Sequence, residues 1–163
     1  MRALRHGLAI CALPGVVAGV VPALILGGDA KVEWGAGAVA GGALIVAGLV
    51  LMVQTIALFA TVGRGTLAPW DAPERLVVRG PYRRVRNPMI SGMLFVLLGE
   101  AALFGSLALL AWFAAVLAIN AAWFPLVEEP GLRRRFGAEY EAYRAEVPRW
   151  LPRLRPVPER PPR

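Results

Sequence analysis

The chain has 163 residues, 57% of them hydrophobic and 18% charged, with a net charge of +7; an average soluble domain is about 45–50% apolar and about 25% charged. This apolar content excludes disorder and points to a membrane. The single Cys11 excludes a disulfide framework and a Cys-rich metal site, and the single His6, near the N-terminus, leaves no imidazole base for a Ser-His-Asp triad or an HExxH zinc site.

Four apolar stretches follow in chain order, at about residues 8–26, 36–62, 89–104 and 107–127. A spanning helix takes about 20 mostly apolar residues. The first, second and fourth stretches reach that length. The third, about 16 residues or roughly 24 Å, is short for a hydrocarbon core of roughly 30 Å. The first has a basic start like a signal peptide, but its apolar body is longer than a usual h-region, and it reads as a retained helix. Gly41, Gly42, Gly48 and the alanines of the second stretch invite close helix contact. Only Gly105-Ser106 separates the third and fourth, which predicts a tight helical hairpin. Pro88 sits where the third helix starts, with Asn87 before it as an N-cap. Gln54, Thr55, Glu100 and Asn120 are the polar residues inside the spans, too scattered to line the pore of a transporter or channel.

Charge sets the expected orientation. The segment 27–35 carries Asp29, Lys31 and Glu33 and is net negative. The segment 63–88 carries six arginines and the chain after Val127 carries nine. By the positive-inside rule both termini and the central loop face the cytoplasm of a bacterial inner membrane, and four spans satisfy that arrangement. The basic excess is thus a matter of topology and anionic lipid, and no nucleic-acid partner is expected. The fold class read from the sequence is an all-α integral membrane protein, residues 1–163 as a single membrane domain. It has about four transmembrane helices, the last two a hairpin, and a C-terminal cytoplasmic amphipathic helix. Leu132, Phe136, Tyr140, Tyr143 and Val147 form the apolar face of that last helix. Pro152 to Arg163 reads as an extended or disordered end near lipid headgroups.

Polar complexity concentrates in two stretches, 65–89 and 128–153. In the first, Pro69, Pro73 and Pro81 forbid a long helix, Arg75–Arg79 is a short extended candidate, and Gly80-Pro81 marks a turn. In the second, Glu128 and Glu129 close the fourth span, an unfavourable place for acids unless Pro130 opens a new helix.

Gly80-Pro81-Tyr82-Arg83-Arg84-Val85-Arg86-Asn87-Pro88-Met89, followed by Gly92, resembles the first signature of the isoprenylcysteine carboxyl methyltransferase and phospholipid methyltransferase superfamily. Glu128-Glu129-Pro130-Gly131-Leu132, then Phe136-Gly137, Tyr140, Tyr143 and Val147-Pro148, resembles its second. With Gly65-Thr66-Leu67-Ala68-Pro69, the resemblance spans residues 65–153. It implies an integral-membrane methyltransferase that uses S-adenosylmethionine in a cytoplasmic pocket built from segments 65–88 and 128–153. Carried over residue by residue, the cofactor contacts are Leu76, Val77, Tyr82, Asn87, Pro88, Met89 and Glu128, flanked by Arg86 and Glu129 as catalytic candidates. No metal is implied. A carboxylate such as Glu128 can accept from ribose hydroxyls or an ammonium, and Arg86 can fork onto a carboxylate. Asn87 stands at the His position of the signature, a variant that looks usual among bacterial relatives, and the chain departs from the signature at Ile90, where the motif has an aromatic. Phe124 stands where carboxyl methyltransferases of this superfamily carry an Arg, which argues against a prenylcysteine carboxylate. The expected acceptor is a lipophilic small molecule or a lipid. A catalytically degenerate relative, serving as scaffold or partner subunit, is the alternative that cofactor binding discriminates.

Overall fold

A computed structural model describes residues 14–32, 34–58, 61 and 76–159. Arg2, Arg5, His6, Cys11, Glu33, Arg75, the 65–69 motif and residues 160–163 lie outside the described residues. Every regular element among the described residues is helical. A π turn at Val16–Val20 leads into α1 (Val21–Leu26), α2 is Ala36–Leu58, α3 is Pro88–Leu103, α4 is Leu107–Trp123, and a second π turn at Phe124–Glu128 joins α4 to α5 (Glu129–Glu146). The helix α2 and the helical run beginning at Leu107 are long and apolar enough to cross a membrane; the Val16–Leu26 and α3 helices are shorter. Contacts divide the chain into two compact units. One contains the chain up to Val50 together with Ser91–Ile119; the other contains Leu51–Ile90 together with the chain from Asn120.

In the first unit, α2 and α3 run antiparallel at backbone contact. A Cβ added at Gly41 would stand 2.6 Å from the Gly99 carbonyl oxygen, and one at Gly48 would stand 2.5 Å from that of Gly92. Gly37 faces Ala102 in the same register. Each glycine pair is spaced by one heptad along its helix, so the close points recur on one seam. The sequence pointed to Gly41 and Gly48; their partners Gly92 and Gly99 complete the seam. Gly42, by contrast, has open space around it. Val39, Val46 and Val53 are exposed along α2, as a lipid-facing side requires.

The hairpin between α3 and α4 forms at the expected dipeptide. Gly105 adopts φ +57°, a left-handed conformation suited to glycine. The Ser106 amide donates to the Ala101 carbonyl at 3.1 Å, and the Ser106 hydroxyl accepts from the Leu109 amide at 3.3 Å as a cap on α4. The N-terminal π turn has a local cause. In its i→i+5 pattern the Val17 carbonyl would face Pro22, which has no N–H to give. The Trp112 indole Nε1–H supplies the missing bond at 3.0 Å, as an apolar environment demands.

The helix that opens at Leu107 does not end at Val127: the helical run continues through the π turn into α5. Pro125 and Pro130 each remove an N–H donor, and the wider turn absorbs this without breaking the run. In the segment expected to be extended, residues 76–78 have no regular structure, Arg79 is extended at φ −133°, ψ 158°, and the 3₁₀ turn at Gly80–Arg83 follows. The end expected to be extended or disordered has no helix or strand over residues 152–159 and is docked at Val157, only 3% exposed. The amphipathic helix itself is present and starts earlier than expected, at Glu129. Gly137 interrupts it with φ 50°, ψ −126°, a backbone that β-carbon sterics deny to other residues.

Candidate functional site

The second unit gathers both signature blocks around one buried cluster. Residues 76–78 have no regular structure and separate their side chains: Leu76 and Val78 pack with Tyr140, Tyr143, Val147 and Val157, whereas Val77 packs with Tyr82 and Leu58. Gly80 turns the chain with φ +52°, and a Cβ there would strike the Leu58 side chain at 2.9 Å. The 3₁₀ turn then buries Tyr82. The Tyr143 hydroxyl donates to the Tyr82 carbonyl at 2.8 Å, joining the two blocks through a buried bond.

The C-terminal segment straps the loop in place by its backbone. The Arg86 amide donates to the Pro148 carbonyl at 3.0 Å, the Arg153 amide to the Arg84 carbonyl at 2.9 Å, and the Val157 amide to the Arg83 carbonyl at 3.0 Å. The Arg153 guanidinium also caps the end of α5, donating to the Glu146 carbonyl at 2.7 Å.

The charged centre is Glu129, 3% exposed. Arg86 Nη1 donates to its Oε1 at 2.7 Å and also to the Tyr140 hydroxyl at 3.3 Å. Arg149 grips the same carboxylate with both branches of its fork, Nε to Oε1 at 2.7 Å and Nη2 to Oε2 at 3.0 Å. Arg144 stands 3.8 Å from Oε2. Burial alone would push the Glu129 carboxyl up; hydrogen bonds and charge from Arg149 and Arg86 outweigh it and hold the group below its ordinary value.

Glu128 has the opposite environment. Its side chain is exposed, and no cation pairs with it among the described residues. Enough protein nonetheless surrounds its carboxyl that burial, reinforced by the Glu129 charge, pushes it up to about 7. The Tyr82 hydroxyl is also raised, by burial first and then by Tyr143 and Glu128, which puts the Glu128 carboxylate within electrostatic reach of that ring. Asn87 and Pro88 are buried where α3 begins, and Met89 is half-buried beside them.

The structure thus brings Arg86 to Glu129 and Val77 to Tyr82, while Leu76 turns into the neighbouring cluster. Sequence reasoning missed Arg149, one arginine in a basic tail, and Arg79. The Nε–H groups of Arg79 and Arg86 are buried without an acceptor among the described residues. Phe124 is buried and meets Trp150 edge-on at 5.7 Å between ring centroids. Two shallow cavities of about 240 and 290 Å³ lie in the first unit, around Gly105 and the ends of its neighbouring helices, and contain none of the candidate residues.

The family model described as phospholipid methyltransferase matches residues 36–139, well over half of the chain. No curated protein and no solved structure matches it.

Proposed function

Because the chain belongs to the phospholipid methyltransferase family, within the isoprenylcysteine carboxyl methyltransferase-like superfamily, we propose that it transfers a methyl group from S-adenosylmethionine to a lipophilic small molecule or lipid at the cytoplasmic membrane face. The observation that carries this reading is the split of the glutamate pair. Glu129 is engaged by arginines at both oxygens, and Glu128 beside it has no cation of its own among the described residues.

The residues present suit such a cofactor. Its ammonium and ribose hydroxyls need an acceptor, and Glu128 is a carboxylate with accepting capacity to spare. Its amino-acid carboxylate needs donors, and Arg79 and Arg86 each hold a buried N–H without one to serve. When bound, the cofactor supplies a methyl group on a positively charged sulfur. The chain's part is to bind and align, since an in-line displacement is accelerated by orientation in a dry site. Arg86 and Glu129 fix the signature loop against α5, and we assign them to holding the site rather than to bond-making. Tyr82 and Val77 give the loop its apolar wall. Phe124 and Trp150 put an apolar surface just before the glutamate pair, in keeping with an acceptor without a carboxylate. A carboxylate or thiolate acceptor would arrive already deprotonated, so the lack of a histidine in this unit is no obstacle; an amine acceptor must first lose its proton. The distribution of arginines supports a cytoplasmic placement of both termini at a bacterial inner membrane.

Equilibrium binding of S-adenosylmethionine to the detergent-purified protein tests the proposal. Saturable binding is expected, weakened about tenfold or more in Glu128→Ala, the usual scale for losing a hydrogen bond to a charged group. Equal affinity in Glu128→Ala sinks the assignment. Because the Glu128 carboxyl sits near pH 7 and only its ionised form accepts from the cofactor without competition, affinity should fall as the pH drops from 8 to 6. That slope should vanish in Glu128→Gln.

A further inference from the structure

The segment after α5 touches both signature blocks within two consecutive residues. Pro148 accepts the Arg86 amide with its carbonyl at 3.0 Å. Arg149 holds the second block through its side chain, at 2.7 and 3.0 Å from the two Glu129 oxygens. Pro148 closes the second signature block and Arg149 follows it, and both lie beyond the stretch that the family model matches, which ends at residue 139.

Glu129 would be poorly defined without this grip. It opens α5 immediately after a π turn, and Glu128, at the N-cap position, makes no side-chain capping bond. Arg86 contacts one carboxylate oxygen only, and Arg144 reaches the other no closer than 3.8 Å. The fork of Arg149 engages both oxygens and fixes the plane of the carboxylate, a geometry that a lysine cannot reproduce. Fixing Glu129 holds, on its other side, the buried guanidinium of Arg86.

We propose that Arg149 is a positioning residue: its two-point grip on Glu129 holds that carboxylate against Arg86, and so sets the orientation of the Arg86 guanidinium and the affinity for S-adenosylmethionine. This rests on the function proposed above. Its effect passes through Glu129.

The test is the dissociation constant of S-adenosylmethionine for the full-length, detergent-purified protein, measured for the parent, Arg149→Gln, Arg149→Lys, Glu129→Gln and the Arg149→Gln/Glu129→Gln double variant. The melting temperature is recorded beside each. Arg149→Gln should bind about tenfold more weakly while still folded at the assay temperature. Arg149→Lys, with the charge but not the fork, should fall between it and the parent. In the Glu129→Gln background, Arg149→Gln should add less than about twofold, because its route is already cut. A purely structural residue would lower the melting temperature and leave the affinity of the folded fraction unchanged. Parent-like affinity in folded Arg149→Gln overturns the proposal, as does a loss that persists in full in the Glu129→Gln background. Should Arg149→Gln fail to fold, parent-like affinity in Arg149→Lys overturns it equally. No binding by the parent itself would remove the functional reading and the positioning role with it, an outcome told apart because it appears before any substitution.

Discussion

The two units of this protein are held together by opposite means. In the first, α2 and α3 meet at glycines that let the two backbones approach, Gly41 against Gly99 and Gly48 against Gly92, with the Ile45 and Val96 side chains packed beside them. In the second, long side chains converge on one buried carboxylate, and backbone bonds strap an irregular loop in place. The contrast follows from solvent. Between apolar helices in lipid no hydrophobic gain favours association, so close contact of backbones has to supply it. Where the chain leaves its helices, every irregular N–H and C=O needs a partner, and charge with hydrogen bonding becomes the means of holding shape. The first unit tolerates no added atom on its seam; the second tolerates no missing partner.

Substitutions that violate each rule measure how far the contrast holds. The largest expected effect is Glu129→Ala, which strands Arg86, whose side chain is 8% exposed. Removing one partner of a buried pair costs about 3–5 kcal/mol, and chemical denaturation in detergent should show a loss of that size. Its counterpart in the parent is an acid limb of stability. Glu129 titrates below its ordinary value in the folded state, so its contribution is present above the unfolded carboxyl range and is lost as the pH falls through the lower folded value. A stability profile that stays flat through that acid range would contradict the pairing. Next comes Gly41→Val, which adds atoms against a backbone that cannot withdraw; overpacking costs about 1–3 kcal/mol or more, and the loss should appear as a lower melting temperature. Tyr143→Phe removes the buried bond from its hydroxyl to the Tyr82 carbonyl, for about 1–2 kcal/mol. Smallest is Gly42→Ala, with open space at the same turn of the same helix; it should be neutral or stabilising by up to about 1 kcal/mol. If Gly41→Val and Gly42→Ala behave alike, the seam is not where the close contact lies.

The sequence showed the helices well, because long apolar runs and the Gly105-Ser106 break are local signals. The stripe from Leu132 to Val147 was legible for the same reason, although the break at Gly137 was not. A single residue with positive φ leaves the hydrophobic period intact on both sides. The glutamate pair looked misplaced because the fourth apolar stretch ends just before it, at Val127, and only a new helix opened at Pro130 would have made its place favourable. The π turn at Phe124–Glu128 carries the chain through, and nothing in the residue pattern marks a widened turn. Arg86 and Glu129, singled out through their motifs, meet as a buried ion pair. Arg149 was hidden among the arginines of a basic tail, where charge for orientation and charge for structure look identical. The strap was hidden more completely, since its bonds run from backbone to backbone and Pro152 and Pro156 on either side of it mimic the composition of a disordered end.

That strap also sets an order of events. The loop at Arg83–Arg86 is held by Pro148, Arg153 and Val157, which leave the ribosome well after it. At about 5–20 residues per second, several seconds separate the emergence of the loop from that of its last fastener. During that interval the apolar helices can enter the membrane while the loop is still unfastened. The site therefore matures last, and a chain stopped after Glu146 should be inserted yet lack the ordered loop.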